Sequence, residues 1–268
     1  MHLYSLVEFI FYADNHEGKT VPVATDEQFL PDLNALRNAV NENTKALIIN
    51  SPNNPTGVVY SRKILEGIAT ILREKSKAFG RAIYLISDDP YKKIVYDGVE
   101  TPNILEFYEN SIYITSHSKD LAIPGERIGF VALHPSAEAG REIMAGLIFC
   151  NRVLGFVNAP ALIQRVVQDL RSVKIDVGPY KKRRDHLYQE LRRIGYSVVH
   201  PQGAFYFFPK SPIENEVIFT QQLAKKRVLV VPGRGFGSPG YFRISYCVPD
   251  KVLEGSIPGF EEAFNLAE

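Results

Sequence analysis

The chain has 268 residues, 45% of them hydrophobic and 23% charged, enough apolar material for one large domain or for a large and a small one. Its 31 basic and 30 acidic residues leave a net charge of +1, so no long-range field draws it to nucleic acid or an anionic membrane, and a small-molecule substrate is expected. Cys150 and Cys247 stand in apolar stretches without CxxC or Cys/His spacing, which argues against a structural metal or a disulfide scaffold and for a reducing, cytoplasmic home.

The opening MHLYSLVEFIFYADNHEG has neither a basic leader region nor a small-residue cleavage site, and no run approaches the ~18 apolar residues of a membrane span. Phe9, Phe11 and Tyr12 either pack a core or face a substrate. Short apolar runs follow: Lys45–Asn50, Ala82–Ser87, Ser111–Ser116 and Ile128–Leu133 are predicted strands. Between the first two, Ile64, Leu65, Ile68, Ile71 and Leu72 recur at helical spacing behind Ser61, a capping residue. Strand, helix, strand predicts an α/β fold, a mostly parallel sheet covered by helices. Ligands of such sheets sit beyond the carboxyl ends of the strands, so the residues just after each run are the ones to inspect.

The second half changes to an α+β pattern. Leu162–Val173 and the basic Pro179–Leu191 read as helices, GYSVVHPQGAFYFFP as two short strands around a turn, Phe219–Lys226 as a helix, and KRVLVVPG and YFRISY as two more strands. This places a large domain over residues 1–169 and a smaller α+β domain over 170–268. The basic run Lys181–Arg184 reads as a solvated helix face, since Asp185 and Glu190 interrupt it and no stacking aromatics are interleaved.

Three strand ends carry chemistry. Ser51–Gly57, SPNNPTG, is a dense run of turn formers. Ser87–Tyr91, SDDPY, sets carboxylates at a strand end, where a magnesium site or a paired-acid hydrolase is the competing reading. Ser116–Phe130, SHSKDLAIPGERIGF, places Lys119 and Arg127 after the third run. The six histidines form no HxH or HExxH pattern, no metal is expected, and His117 reads as positional.

Taken in order, these segments resemble the fold-type-I pyridoxal-phosphate-dependent aminotransferases, class I/II. So does VPGRGFGSPGYFRISY (Val231–Tyr246), and PQGAFYFFP (Pro201–Pro209) resembles a strand of that family's small domain. The resemblance implies a large domain followed by a smaller one, and a Schiff base between Lys119 and pyridoxal 5'-phosphate. It further implies Asp88 on the ring nitrogen, Tyr91 and Asn54 on the phenolate oxygen, Ser116, Ser118 and Arg127 on the phosphate, and Arg243, with Asn54, on the substrate carboxylate. These residue types suit those roles. A primary amine forms the imine and can then move a proton, a carboxylate keeps the ring nitrogen protonated, and a guanidinium forks onto a carboxylate. Gly233, Gly235, Gly237 and Gly240 lack the spacing of a dinucleotide loop and read as a tight loop delivering Arg243.

The resemblance implies transfer of an amino group from an L-amino acid to a 2-oxo acid. Other enzymes that exploit the same carbanion, C–S lyases and decarboxylases, are the alternative, and a noncatalytic domain of the same fold is a third. Gly18–Leu36 resembles the middle of these enzymes, so an N-terminal portion is missing from the match, including the aromatic that stacks on the ring. The family also implies a homodimer.

Overall fold

The computed structural model describes residues 18–173 and 175–267, so Phe9, Phe11 and Tyr12 lie outside the described residues. Helix α1 (Leu33–Ala39) precedes strand β1 (Ala46–Ile49), helix α2 (Arg62–Phe79) and strand β2 (Tyr84–Asp88). Strand β3 (Ser111–Ser116) runs straight into a single helical turn, α3 (His117–Asp120), and strand β4 (Gly129–Leu133) completes a sheet of order β1-β2-β3-β4. The first three strands are parallel and β4 returns antiparallel to β3, so the expected mostly parallel sheet holds.

Helix α2 forms as its pattern dictates. The Ser61 hydroxyl accepts from the Ile64 amide at the N-terminus, and Gly80 in the left-handed region closes the other end. Its apolar face, Leu65, Ile68, Ile71 and Leu72, is buried against Ile49, Ile83 and Leu85 of the sheet region. Burying residues of this size contributes roughly 1.5–3 kcal/mol each.

Helices α4 (Gly140–Val153) and α5 (Ala161–Asp169) differ. Both are amphipathic, yet neither has a buried residue, and Ile148, Phe149, Val153, Phe156 and Leu162 are each at least half exposed. Helix α6 (Gly178–Ile194), α7 (Glu216–Lys225) and α8 (Asp250–Asn265) pack around a second sheet of order β5-β7-β6, formed by Tyr206–Phe207, Phe242–Ser245 and Val231–Pro232. A second core joins these elements to Tyr91, Ile94 and Tyr96, which follow β2, so the segment after the first sheet is packed into the small domain.

Three expectations are corrected. Ser197–His200 forms no strand, because PQG turns back to bond the loop after β1 rather than pairing with its own preceding residues. The strand expected over KRVLVVPG shrinks to Val231–Pro232, where β7 offers a partner. Arg184 is not on a solvated face. Helical spacing puts it in line with buried Leu187 and Leu191, and its side chain is 1% exposed. There it bonds Asp97 (2.7 Å), Asp185 and the Pro201 carbonyl (3.0 Å) and lies over the Tyr96 ring. Cys150 and Cys247 are both free thiols on exposed residues. No helix among the described residues is long and apolar enough to cross a membrane.

Candidate active site

The loop after β1 is held from both sides. The Asn50 side chain accepts from the Asn54 amide (2.7 Å) and donates to the Asp88 carbonyl (2.6 Å), tying the loop to the end of β2. The Gly57 carbonyl accepts from the amides of Gln202 and Gly203, both at 2.9 Å. Gly57 has φ +72, and a Cβ there would stand 2.5 Å from Pro201 Cβ, so the close approach of SPNNPTG to PQG requires glycine.

At the end of β2, burial pushes the Asp88 carboxyl up to about 6. Burial pushes Asp89 higher, to about 7, although the Ser87 hydroxyl (2.5 Å) and Lys92 oppose it. Two residues further on, Tyr91 is fully buried, with its hydroxyl 2.9 Å from that of Tyr206.

The end of β3 presents Ser116 and then Lys119 on the α3 turn. That turn is fixed by Asp120, a buried carboxylate that pairs with His117 Nδ1 (3.2 Å) and Lys93 Nζ (3.1 Å). His117 therefore helps to hold the turn that carries Lys119. Lys119 is half-buried, and its Nζ lies 5.7 Å from the centroid of the Phe205 ring. Burial lowers its pKa and the Arg243 charge adds to this, while Cys247 opposes it, so more of the amine is neutral at a given pH. The Ser116 hydroxyl is buried and has no hydrogen-bond partner among the described residues.

Arg243 comes from β7, paired with Val231 beneath a tight loop in which the Gly233 amide donates to the Tyr241 carbonyl (2.7 Å). Its Nη1 donates to Asn54 Oδ1 (2.8 Å), and its guanidinium lies over Tyr206 (4.6 Å) and Phe236 (4.9 Å). Its Nε is buried and has no hydrogen-bond partner among the described residues. Burial lowers its pKa, against the pull of Tyr206 and Tyr91. A guanidinium nevertheless keeps its charge.

The fold therefore brings Lys119, Tyr91, Asn54 and Arg243 around one aromatic wall, Phe205, Tyr206 and Phe236. Asp88 and Ser116 stand at neighbouring strand ends, since Asp88 pairs with Ile114 in register. Ser118 is half-buried on the α3 turn. Arg127 is not drawn in: it is exposed, its backbone is left-handed, and its Nη1 bonds the Pro124 carbonyl (2.8 Å) of its own turn. Gly129 after it is required sterically, because a Cβ would collide with the Thr115 carbonyl. Sequence reasoning did not assign Phe205, Tyr206 or Phe236. Their motifs were visible, but an aromatic residue does not announce which neighbour it faces.

The family described as aminotransferase class I and II matches residues 7–256. A probable aspartate/prephenate aminotransferase of Thermus aquaticus is 34% identical over 249 residues, 91% of this chain and 63% of its own length. An aspartate aminotransferase of Pyrococcus horikoshii is 32% identical over 95% of this chain and 67% of its own. Among solved structures, an amino transferase from Eubacterium rectale superposes with a TM-score of 0.92 at 38% identity, covering 97% of this chain and 66% of that one. The Thermus thermophilus aspartate aminotransferase with maleate gives 0.81 at 29% identity, over 92% and 64%. The chain thus spans about two thirds of the length of these relatives.

Proposed function

The chain belongs to the class I and II aminotransferase family, and from that premise we propose that the protein moves an amino group from an L-amino acid to a 2-oxo acid, with pyridoxal phosphate held by Lys119. One observation carries this reading: a buried, unpartnered Arg243 Nε stands at one end of an aromatic wall, with a half-buried lysine of lowered pKa at the other. A carboxylate at Arg243 would complete that arginine's hydrogen bonds and set the substrate's Cα toward the amine.

The donor set fits the cofactor. Lys119 offers the amine, Asp88 a carboxylate whose raised pKa a neighbouring cation would pull back down, Tyr91 and Asn54 hydrogen bonds for a phenolate oxygen, and Ser116 an unused buried hydroxyl for the phosphate. Ser118 and Arg127 are assigned to the same phosphate, Arg127 after its side chain leaves the Pro124 carbonyl. When bound, the cofactor supplies an electron sink for the carbanion formed at the substrate Cα. Lys119 carries the proton away from Cα as base and returns it as acid, a role its lowered pKa favours. Asn54 and Tyr206 hold Arg243 so that the substrate is clamped in one orientation.

The substrates are small molecules, an amino acid and a 2-oxo acid, and the near-zero net charge supports this over a nucleic-acid partner. The names of the relatives make aspartate the first donor to try. The cofactor domain is assigned to residues 1–169 and the small domain to 170–268. The uncovered apolar sides of α4 and α5 support a homodimer in which a second copy buries them. The cytoplasm is the proposed compartment.

The test is an absorbance spectrum of the protein with pyridoxal phosphate, with and without amino acids. A band of lysine-bound cofactor lost in Lys119→Ala, and release of the keto acid matching the donor, are expected. Release of ammonia and pyruvate would mark a lyase instead, and an unchanged spectrum would sink the reading altogether.

A further inference from the structure

Glu216, the first residue of α7, is 1% exposed, and its carboxylate gathers both ends of the loop between β6 and β7. Oε1 accepts from the Arg234 amide (3.2 Å) and from Arg234 Nε (2.8 Å), while Oε2 accepts from the Gly240 amide (3.1 Å). Between those two anchor points stands Phe236, whose ring centroid lies 4.9 Å from the Arg243 guanidinium. The start of α7 has a cap of its own, because Asn215 Oδ1 accepts from the amides of Val217 and Ile218.

The loop needs such an anchor. Gly237 and Gly240 sit at φ +72 and +84, and glycine loses more conformational freedom on ordering than any other residue. Local bonds close the turn itself, from the Gly237 amide to the Arg234 carbonyl and from the Ser238 amide to the Gly233 carbonyl, both at 3.1 Å. They shape the turn without fixing where it lies. Its placement comes from outside: from Glu216, from the Ser211 amide on the Gly240 carbonyl (2.8 Å), and from the Phe208 ring, edge to face with Phe236 at 5.8 Å. Of these contacts Glu216 supplies the charged ones, and a charge-assisted hydrogen bond is roughly twice as strong as a neutral one.

We propose that Glu216 is a positioning residue for the substrate carboxylate: it clasps Arg234 and Gly240 so that the loop holds Phe236 against Arg243, which keeps the guanidinium in the orientation that receives the carboxylate. This rests on the reading of Arg243 as the substrate's arginine and adds to it a residue that acts through the loop. A cation partly desolvated over an aromatic face is held more firmly than one in water, so loss of the Phe236 contact frees the guanidinium to swing. The sign of the effect is diagnostic. Neutralising an acid would by charge alone tighten the binding of an anion nearby, whereas opening the clasp weakens it.

The experiment uses the full chain with pyridoxal phosphate added, titrated calorimetrically with succinate, in the parent and in Glu216→Gln, Phe236→Leu and the double variant. Either single substitution is expected to weaken succinate binding roughly fivefold. Because both act through one contact, the double variant is expected to be about fivefold weaker as well, where independent effects would multiply to roughly twenty-five-fold. Arg243→Met is expected to abolish the binding, and circular dichroism verifies that each variant keeps the parent's fold.

Unmoved or tighter succinate binding in Glu216→Gln overturns the proposal, as do multiplied losses in the double variant. A carboxylate that served only the fold would lower the melting temperature of Glu216→Gln and leave the affinity where it was. Should Glu216→Gln not fold, Phe236→Leu decides alone, and unmoved affinity there overturns the proposal. Binding that is absent from the parent, or that survives Arg243→Met, overturns it together with the carboxylate role of Arg243. If the unsubstituted protein shows no Lys119-dependent absorbance band, the transamination reading has failed, and the titrations still decide whether Glu216 serves Arg243.

Discussion

Arg243 Nη1 donates to Asn54 Oδ1 across 2.8 Å, although the two residues stand 189 positions apart in the chain. The bond joins the loop after the first strand to the last strand of the small sheet, and it leaves the arginine's Nε buried and without a partner among the described residues. An unsatisfied buried donor is costly, so a site built this way is poised for an acceptor. Four experiments test the consequences.

Arg243→Lys keeps a positive charge but loses the fork and the stack on Tyr206. It is expected to lower kcat/KM for an amino-acid donor by about 2–5 kcal/mol of transition-state binding, mostly through KM. Steady-state kinetics with aspartate checks this. An unchanged KM would remove Arg243 from the substrate site.

Asp88→Asn should leave the lysine-bound cofactor in place yet slow turnover by roughly 10²–10³-fold, because the amide cannot stabilise a protonated ring nitrogen. Spectra and kcat measured on the same sample separate binding from catalysis. Comparable loss of both would mean that Asp88 serves the fold instead.

Asp89 is 3% exposed, and its carboxyl is pushed up to about 7. A group raised in the folded state contributes stability that is complete below its unfolded value near 4 and is lost as pH rises through about 7. The cost of ionising it is on the order of 4 kcal/mol. Cofactor-free protein should therefore lose thermal stability between about pH 4 and pH 7. Asp89→Asn should flatten that decline and be the more stable protein at pH 8. A parent whose melting temperature rises across this range would contradict the assignment.

Phe149→Asp places a charge on the bare side of α4, at a residue 64% exposed. A single copy would scarcely notice the change, while an interface would lose it at a cost of several kcal/mol. Light scattering after gel filtration should show a dimer for the parent and a smaller species for the variant. A monomeric parent would remove the homodimer from the proposal.

Much of the architecture was legible in one dimension. The four strands of the first sheet and helix α2 could be read from apolar spacing, because residues buried at a fixed period leave a local trace. The small sheet was legible only in outline. Its strands are two to four residues long, and such strands exist where a partner happens to pass, as Val231–Pro232 does beside Phe242–Arg243. Arg184 shows the converse failure. Its charge suggested solvent, while its helical phase and the distant Asp97 decided for burial.

The sequence by itself determined the chemistry on offer: an amine, a carboxylate, a phenol and a guanidinium at the ends of strands or in the loops beside them, because covalent identity and local period travel along the chain. What only the tertiary structure decided is which of them act on one another. Tyr206 reaching Tyr91 and Arg243, Arg243 reaching Asn54, and Arg127 folding back on Pro124 are contacts between distant segments or rotamer choices set by packing. Such choices depend on how the segment after β2 packs against the small sheet, and no periodicity along a single strand encodes that distance.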